Sequence, residues 1–153
     1  MFGEMALASI LPEIRKTGSE SIDIWRRTHG NQREQIADMG DEACMALLAK
    51  HDAKISISTC YPLGAFGLQE EMDWLKQYGG KVIVTGAINH PVPEPSGQDA
   101  KQAVLDLLEQ MKPHVAKAEE TGIIIALENH SKQVLYHPDA IRYFAEFNQS
   151  RNL

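Results

Sequence analysis

The segment that most restricts the fold of this chain is a run of five apolar residues, Ile123 to Leu127, that ends at Glu128. Gly122 precedes the run and β-branched residues dominate it, which is typical of a strand buried on both faces of a parallel sheet. Ligands of such sheets bind where the strands end. We therefore predict that Glu128 is a metal ligand or a general acid or base. The alternative is that Glu128 caps a turn or forms a structural ion pair.

Three earlier segments repeat this strand pattern, and a segment with helical spacing follows each. The strands are predicted over Ser21 to Trp25, Lys54 to Thr59 and Lys81 to Thr85. The apolar spacing predicts helices over residues 6–16, 41–50, 69–78 and 96–121, and a further helix that begins at Pro138. Within the fourth helix we expect a side-chain cap at Ser96 and a kink or break at Pro113. Alternation of this kind predicts an α/β fold with a parallel sheet.

The length of the chain limits this picture. A chain of 153 residues makes one domain, residues 1–153, with a substantial core. A complete (β/α)₈ barrel needs about 250 residues. The predicted order begins with a helix that no strand precedes and ends with a helix that no strand follows. We therefore expect the chain to be part of a larger fold.

Charge and composition exclude several classes of partner. The net charge of −6 and the scattered basic residues disfavour a nucleic-acid backbone. No stretch approaches the roughly 20 apolar residues of a membrane span, so we expect no membrane partner. Cys44 and Cys60 lack the paired spacing of a zinc or redox motif and are predicted to be free thiols in a reducing compartment, which favours a cytoplasmic location.

Other polar residues near strand ends are candidate site residues. Asp23 lies inside an apolar strand, where a charge is costly unless it faces substrate or pairs with an Arg. His29 and His90 fall in loops after strands and could bind substrate hydroxyls, although an exposed histidine without a role is the alternative. Of Glu128 and His130, we expect only Glu128 to face a ligand. The proline-rich segment 91–97 is predicted to be a loop over the sheet, either a lid or a plain connector.

The strand that ends in Leu127-Glu128-Asn129 and the loops at residues 25–30 and 59–64 resemble the xylose-isomerase-like TIM-barrel superfamily of sugar-phosphate isomerases and epimerases. The resemblance covers nearly the whole chain. It implies part of a TIM (β/α)₈ barrel, with these strands as the second to the fifth. It also implies that Glu128 is the first of four metal ligands, the others being an Asp, a His and a Glu from the sixth, seventh and eighth strands.

This sequence departs from that superfamily because the first strand and the last three strands have no counterpart in it. A divalent cation such as Mn²⁺, Mg²⁺ or Zn²⁺ needs more ligands than Glu128 and its neighbours supply. The expected ligand set is therefore incomplete, and the chain alone is expected to be inactive. Either a longer protein or a second chain completes the barrel, or the chain does not catalyse the reaction.

Two classes of function are compatible with these residues. The first is a metal-dependent isomerase or epimerase of a sugar or sugar phosphate, with Glu128 as metal ligand and catalytic group and with Asp23, His29 and His90 binding substrate. The second is a non-catalytic α/β module that binds a small polar ligand or a partner. In both cases an open set of barrel strands exposes strand edges and apolar surface, so we expect self-association.

Overall fold

The computed structural model describes residues 3, 5–92 and 94–153, which form six α-helices around one four-stranded sheet. A 3₁₀ turn at Tyr61–Leu63 follows the second strand. In chain order the main elements are α1 (Leu7–Lys16), β1 (Ser21–Trp25), α2 (Gln32–Met39), α3 (Asp41–Lys50), β2 (Lys54–Thr59), α4 (Gln69–Gln77), β3 (Val82–Gly86), α5 (Gly97–Thr121), β4 (Ile124–Glu128) and α6 (Pro138–Phe147).

The sheet has the strand order β1-β2-β3-β4, and every neighbouring pair is parallel. This confirms the α/β class and the parallel order predicted from the alternation of strands and helices. Because the four strands run in one direction, their last residues lie along the same edge of the sheet. Those residues are Trp25, Thr59, Gly86 and Glu128.

The core lies between one face of the sheet and the helices that connect its strands. Ile24 and Ile83 of the sheet are fully buried there, as are Leu107 and Met111 of α5. These residues follow the two periods expected of a half-buried strand and an amphipathic helix. The helices therefore cover one face of the sheet, and the strand ends remain accessible.

The prediction that the last strand is buried on both faces is wrong. Ile125 of β4 and the preceding Ile123 are buried, whereas Ile124 at the start of the strand is 42% exposed. Successive side chains of a strand point to opposite faces, and the helices of the described ranges cover one face of this sheet. The other face carries apolar side chains that the described part of the chain leaves accessible.

Several helix boundaries differ from the sequence prediction. The sequence prediction missed the helix α2. Only Gln32 and Ile36 of this helix are buried, so its apolar residues do not recur at a clear helical period. The Ser96 side chain makes no capping hydrogen bond. Of the kink or break expected at Pro113, the break does not occur, since α5 continues from Gly97 to Thr121 with buried residues on both sides of the proline. The kink stays a prediction. Gly122 ends α5 in the left-handed conformation, with φ 72°, which glycine adopts without strain.

The proline-rich segment leads from the sheet edge to α5, and its Pro93 lies outside the described residues. At its end, the Gly97 N–H donates to Asp139 Oδ2 at 2.8 Å, which joins the first turn of α5 to that of α6. A lid role for the segment stays a prediction. Within the described ranges, no helix combines the length and the apolar character that crossing a membrane requires.

Candidate functional site

A cleft of about 410 Å³ opens where the parallel strands end. We call it the strand-end cleft. Its walls come from the last residues of β1, β3 and β4 and from the loops that follow the strands. This is the edge at which ligands of parallel α/β sheets bind. The lining residues are Trp25, His29, Tyr61, Gly86, Glu128, His130 and Gln133.

One side of the strand-end cleft is an aromatic wall formed by Trp25, His29 and Tyr61. The ring centroid of Trp25 lies 5.8 Å from that of His29 and 5.6 Å from that of Tyr61. The His29 and Tyr61 rings are 6.2 Å apart, and all three pairs meet edge to face. This is a favoured geometry for aromatic pairs. The aromatic wall therefore offers a preformed apolar surface with polar atoms at its margins.

The polar lining residues of the strand-end cleft are Glu128, His130 and Gln133. Glu128 is exposed and pairs in register with Gly86 of β3. The expectation that His130 turns away from the ligand is wrong, because both Glu128 and His130 line the cleft. Residues two positions apart project to the same side of an extended backbone. A carboxylate and an imidazole are thus available to one ligand.

Gln133 lies directly over Gly86. A Cβ atom at Gly86 would come within 2.6 Å of Gln133 Nε2, which is closer than real Cβ contacts allow. The loop that carries Gln133 is held by the loop after β3, since Val134 N–H donates to Ile88 O at 2.9 Å and His90 N–H donates to Lys132 O at 3.1 Å. The backbone on both sides of Gln133 is therefore held against the loop after β3, and the side chain lines the cleft.

Asp23 lies outside the strand-end cleft and lines an adjoining groove of about 280 Å³ between α1 and β1, which we call the edge groove. Its carboxylate accepts hydrogen bonds of 2.9 Å from Thr59 Oγ1 and from Trp25 Nε1. These donors are neutral, so the Arg considered above as a structural partner of Asp23 is not among its described partners. Burial raises the pKa of Asp23 above its usual value, against the opposing effect of these hydrogen bonds.

The two predicted substrate histidines occupy different places. His29 belongs to the aromatic wall and lines both the strand-end cleft and the edge groove. His90 lines neither cavity, and its Nδ1 accepts a hydrogen bond from the Val92 N–H at 3.1 Å within the same loop. The geometry therefore favours His29 as a ligand-binding residue, while the role of His90 stays a prediction without a place in the cleft.

A buried ionic network holds the loop between β1 and α2 next to the cleft. Glu71 of α4 is 2% exposed and accepts hydrogen bonds from Arg26 at 2.5 Å, from Arg33 at 3.2 Å and from Ser58 Oγ at 2.7 Å. The Arg33 guanidinium also lies 3.8 Å from the ring centroid of Trp74. The two guanidinium cations compensate the negative charge of the buried Glu71 carboxylate. The network fixes the start of the segment that presents His29.

Both cysteines are buried free thiols, as predicted. Burial raises the pKa of Cys60 to about 12, and the nearby Glu71 carboxylate adds to the effect. A thiol with such a pKa is protonated at neutral pH, and the thiolate is the nucleophilic form. Cys60 therefore has no part in nucleophilic chemistry at this edge.

The chain offers few ligands for a metal ion. Among the residues that the structure describes, no group of three or more His, Cys, Asp or Glu side chains is placed to hold a cation. Glu128 and His130 are two potential donors in the strand-end cleft, whereas Mg²⁺ and Mn²⁺ favour about six ligands. The described residues therefore do not fit a complete metal site.

The cleft also contains residues that were not among the candidates predicted from the sequence. Trp25 and Tyr61 follow the same strand-end rule that selects Glu128, so their positions in the sequence could have identified them. Gly86 is likewise the last residue of β3. Gln133 carries no such signal, because it lies in an irregular loop and approaches Gly86 only through the pairing of two loops.

The fold is shared with solved TIM-barrel structures. A xylose isomerase-like TIM barrel protein from Mycobacterium smegmatis, in complex with magnesium, superposes with a TM-score of 0.63 at 16% sequence identity over 91% of this chain. The IOLI protein with a zinc atom gives a TM-score of 0.67 at 17% identity over 96% of this chain. A xylose isomerase domain protein from Alicyclobacillus acidocaldarius gives 0.62 at 14% identity over 97% of this chain.

This chain spans about half the length of those structures, namely 51%, 55% and 57% of them. No protein-family model matches the sequence. No curated protein matches it either. The four parallel strands and their helices thus have the fold of part of a TIM barrel, as the sequence predicts.

Proposed function

We propose that the strand-end cleft binds a sugar or sugar phosphate, and that the complete barrel is a divalent-metal-dependent isomerase or epimerase acting on it. The observation that carries this proposal is the position of Glu128. The carboxylate ends β4 and lies in one cleft with the aromatic wall. A charged group beside a flat apolar surface is typical of a pocket that orients an amphipathic ligand.

A carbohydrate suits both sides of the cleft. The C–H groups of a sugar are apolar and fit against aromatic rings, while its hydroxyls need hydrogen-bond partners. The aromatic wall supplies the first surface, and Glu128, His130 and Gln133 supply polar groups. His29 has both properties, since its ring belongs to the aromatic wall and its nitrogens can bind a hydroxyl.

The role of this chain in the reaction centres on Glu128. In the proposed reaction its carboxylate contributes one ligand to a divalent cation and takes part in moving a proton at the carbon next to the carbonyl. A divalent cation held by Glu128 and by ligands outside the described residues would supply the Lewis acid that polarises the carbonyl and hydroxyl of the substrate. Magnesium and zinc accompany two of the similar structures, which supports Mg²⁺ or Zn²⁺ here, and Mn²⁺ takes the same oxygen ligands as Mg²⁺. The remaining ligands must come from outside the described residues.

A non-catalytic binding module is the second candidate. The small number of metal ligands favours it, because a cleft with two potential donors binds a sugar without a cation more readily than it assembles a catalytic centre. Under this proposal the aromatic wall and the polar groups act only in recognition. The isomerase and the binding module would bind the same ligand, but only the isomerase would convert it.

The experiment compares turnover of the natural full-length gene product with that of its Glu128→Gln variant. Ketoses and aldoses, with and without phosphate, are assayed with Mn²⁺, Mg²⁺ and Zn²⁺. The amide keeps the shape of the side chain and removes its charge, so we expect a loss of turnover on the order of 100-fold or more, the size of general acid–base and metal-ligand effects.

Glu109→Gln is the matched control, because Glu109 is exposed on α5 and its Lys112 partner is equally exposed. This control is expected to keep full activity. Sugar binding without turnover in the unmodified protein would favour the binding module. Full activity of Glu128→Gln would show that Glu128 is structural and would contradict the isomerase proposal.

A further inference from the structure

We propose that Gln133 is the residue that recognises a hydroxyl group of the ligand, and that Gly86 makes this recognition possible by leaving room for the amide. The inference rests on the proposed function, because it requires a polyhydroxy ligand in the strand-end cleft. It adds a specificity residue and a chemical preference, namely an uncharged hydroxyl at this end of the cleft.

The amide of Gln133 has an unused hydrogen-bonding atom. Its Oε1 is buried and has no partner among the residues that the structure describes. Buried polar atoms are normally paired, and an unpaired one is costly. The side chain also lines the strand-end cleft, so a ligand there can supply the missing donor when the amide rotates and turns its oxygen towards the cleft.

Gly86 determines where that amide can lie. The three atoms nearest to a Cβ at this position all belong to the Gln133 amide, at 2.6, 3.2 and 3.3 Å. Any larger residue at position 86 would push the amide away from the sheet. Because Gly86 pairs in register with Glu128, the amide and the proposed catalytic carboxylate stand over neighbouring strand ends. A ligand that reaches one is within the same small cleft as the other.

The backbone that carries the amide is fixed before a ligand binds. Gln133 forms an antiparallel bridge with Asn89, and its own N–H donates to His130 O at 3.2 Å. A side chain carried on such a braced loop loses less conformational entropy on binding than one on a free loop. The bracing therefore favours selective binding of a ligand hydroxyl by Gln133.

The surroundings favour a neutral hydroxyl over an anion. No Lys or Arg is among the described residues that line the cleft, and the Arg26 guanidinium is engaged by Glu71. Glu128 in the same cleft repels a phosphate or carboxylate. A hydroxyl both donates and accepts, so it can satisfy the amide oxygen and the amide N–H group. We therefore expect the phosphate of any phosphorylated ligand to lie away from Gln133.

The test uses the chain labelled with ¹⁵N and titrated with D-xylose, D-fructose and xylitol. The side-chain NH₂ signal of Gln133 and the indole N–H signal of Trp25 are followed by NMR. We expect both signals to move together on titration. Gln133→Leu and Gly86→Ala should each weaken binding by about three- to tenfold, the effect of one lost hydrogen bond to an uncharged group.

Gln77→Leu is the matched control, since Gln77 is exposed at the end of α4 opposite the strand-end cleft, and it should bind like the unmodified chain. The Gln133 signal of the unmodified chain gives an answer even where a variant fails to fold. A Trp25 signal that moves while the Gln133 signal stays still would overturn this inference and leave the proposed function intact. Absence of any binding would overturn both.

Discussion

The carboxylate of Asp23 accepts a hydrogen bond of 2.9 Å from the indole Nε1 of Trp25. Trp25 belongs to the aromatic wall of the strand-end cleft, whereas Asp23 lies in the edge groove beside it. The acidic residue therefore orients the largest ring of the cleft without lining it. Its contribution to ligand binding is expected to be indirect, through the position of that ring.

We predict that Asp23→Asn stabilises the fold slightly at neutral pH. The pKa of Asp23 is raised in the folded state by burial. As the pH rises through about 4, the unfolded chain loses this proton first, so the fold loses stability until the folded-state pKa is passed. Asparagine does not ionise, and its Oδ1 can accept from Trp25 Nε1 while its Nδ2 donates to Thr59 Oγ1. Since the residue remains partly exposed, we expect a rise in Tm of no more than about 2 °C.

Thermal unfolding between pH 3 and pH 7 measures this effect. The gain in Tm of Asp23→Asn should shrink as the pH falls below about 4, because the native carboxyl is then protonated in both states. Asp38→Asn, at an exposed position, is the control and should show no such trend. A variant that is less stable than the native chain at pH 7 would show that the carboxylate charge itself supports the fold.

We predict that Glu71→Gln destabilises the fold by about 3 kcal/mol. The substitution leaves Arg26 and Arg33 without their shared carboxylate, and unpaired buried charges carry a cost of this size. Urea unfolding gives the free energy directly. Glu109→Gln removes an exposed ion pair with Lys112 and should cost less than about 0.5 kcal/mol. Equal losses in the two variants would show that the network around Glu71 contributes no more than a surface pair.

We predict that the chain alone binds Mn²⁺ weakly, with a Kd of ~10⁻⁴ M or higher, because Glu128 and His130 supply too few ligands. Calorimetry of the chain and of its Glu128→Gln variant measures this. The variant should bind more weakly still, and Glu109→Gln should match the native chain. Tight binding would reveal a complete site that the described residues do not explain.

We predict that the chain self-associates through its uncovered sheet face and strand edges. Ile124 is 42% exposed on β4. The edge of β1 that faces away from β2 borders the edge groove. Exposed apolar surface promotes association, and the outer edge of β1 adds strand backbone, whereas on β4 the Ile125 N–H already donates to Asn152 O at 2.8 Å. Light scattering should show dimers or larger species, and Ile124→Lys should shift the population towards monomer. The control Leu105→Lys, at a 39% exposed position on α5, should leave the population of dimers and larger species unchanged. A native chain that stays monomeric at high concentration would contradict the prediction.

The sequence alone determined the direction and order of the strands and the position of Glu128. Both follow from local properties, since apolar periodicity defines each strand and short helical crossovers force parallel neighbours. The same strand-end rule could have identified Trp25 and Tyr61. Local pattern did not reveal α2, because that helix buries only two residues.

Only the tertiary structure decided which distant side chains meet. The strand β2 is shifted by one residue against β1 between Ile22 and Asp23, and in the resulting arrangement Thr59 donates to Asp23 across a separation of 36 residues. Glu71 meets Arg26 across 45 residues. Gln133 reaches Gly86 only because two loops pair. Register shifts and loop contacts depend on the packing of the whole sheet, so no local pattern in the sequence encodes them.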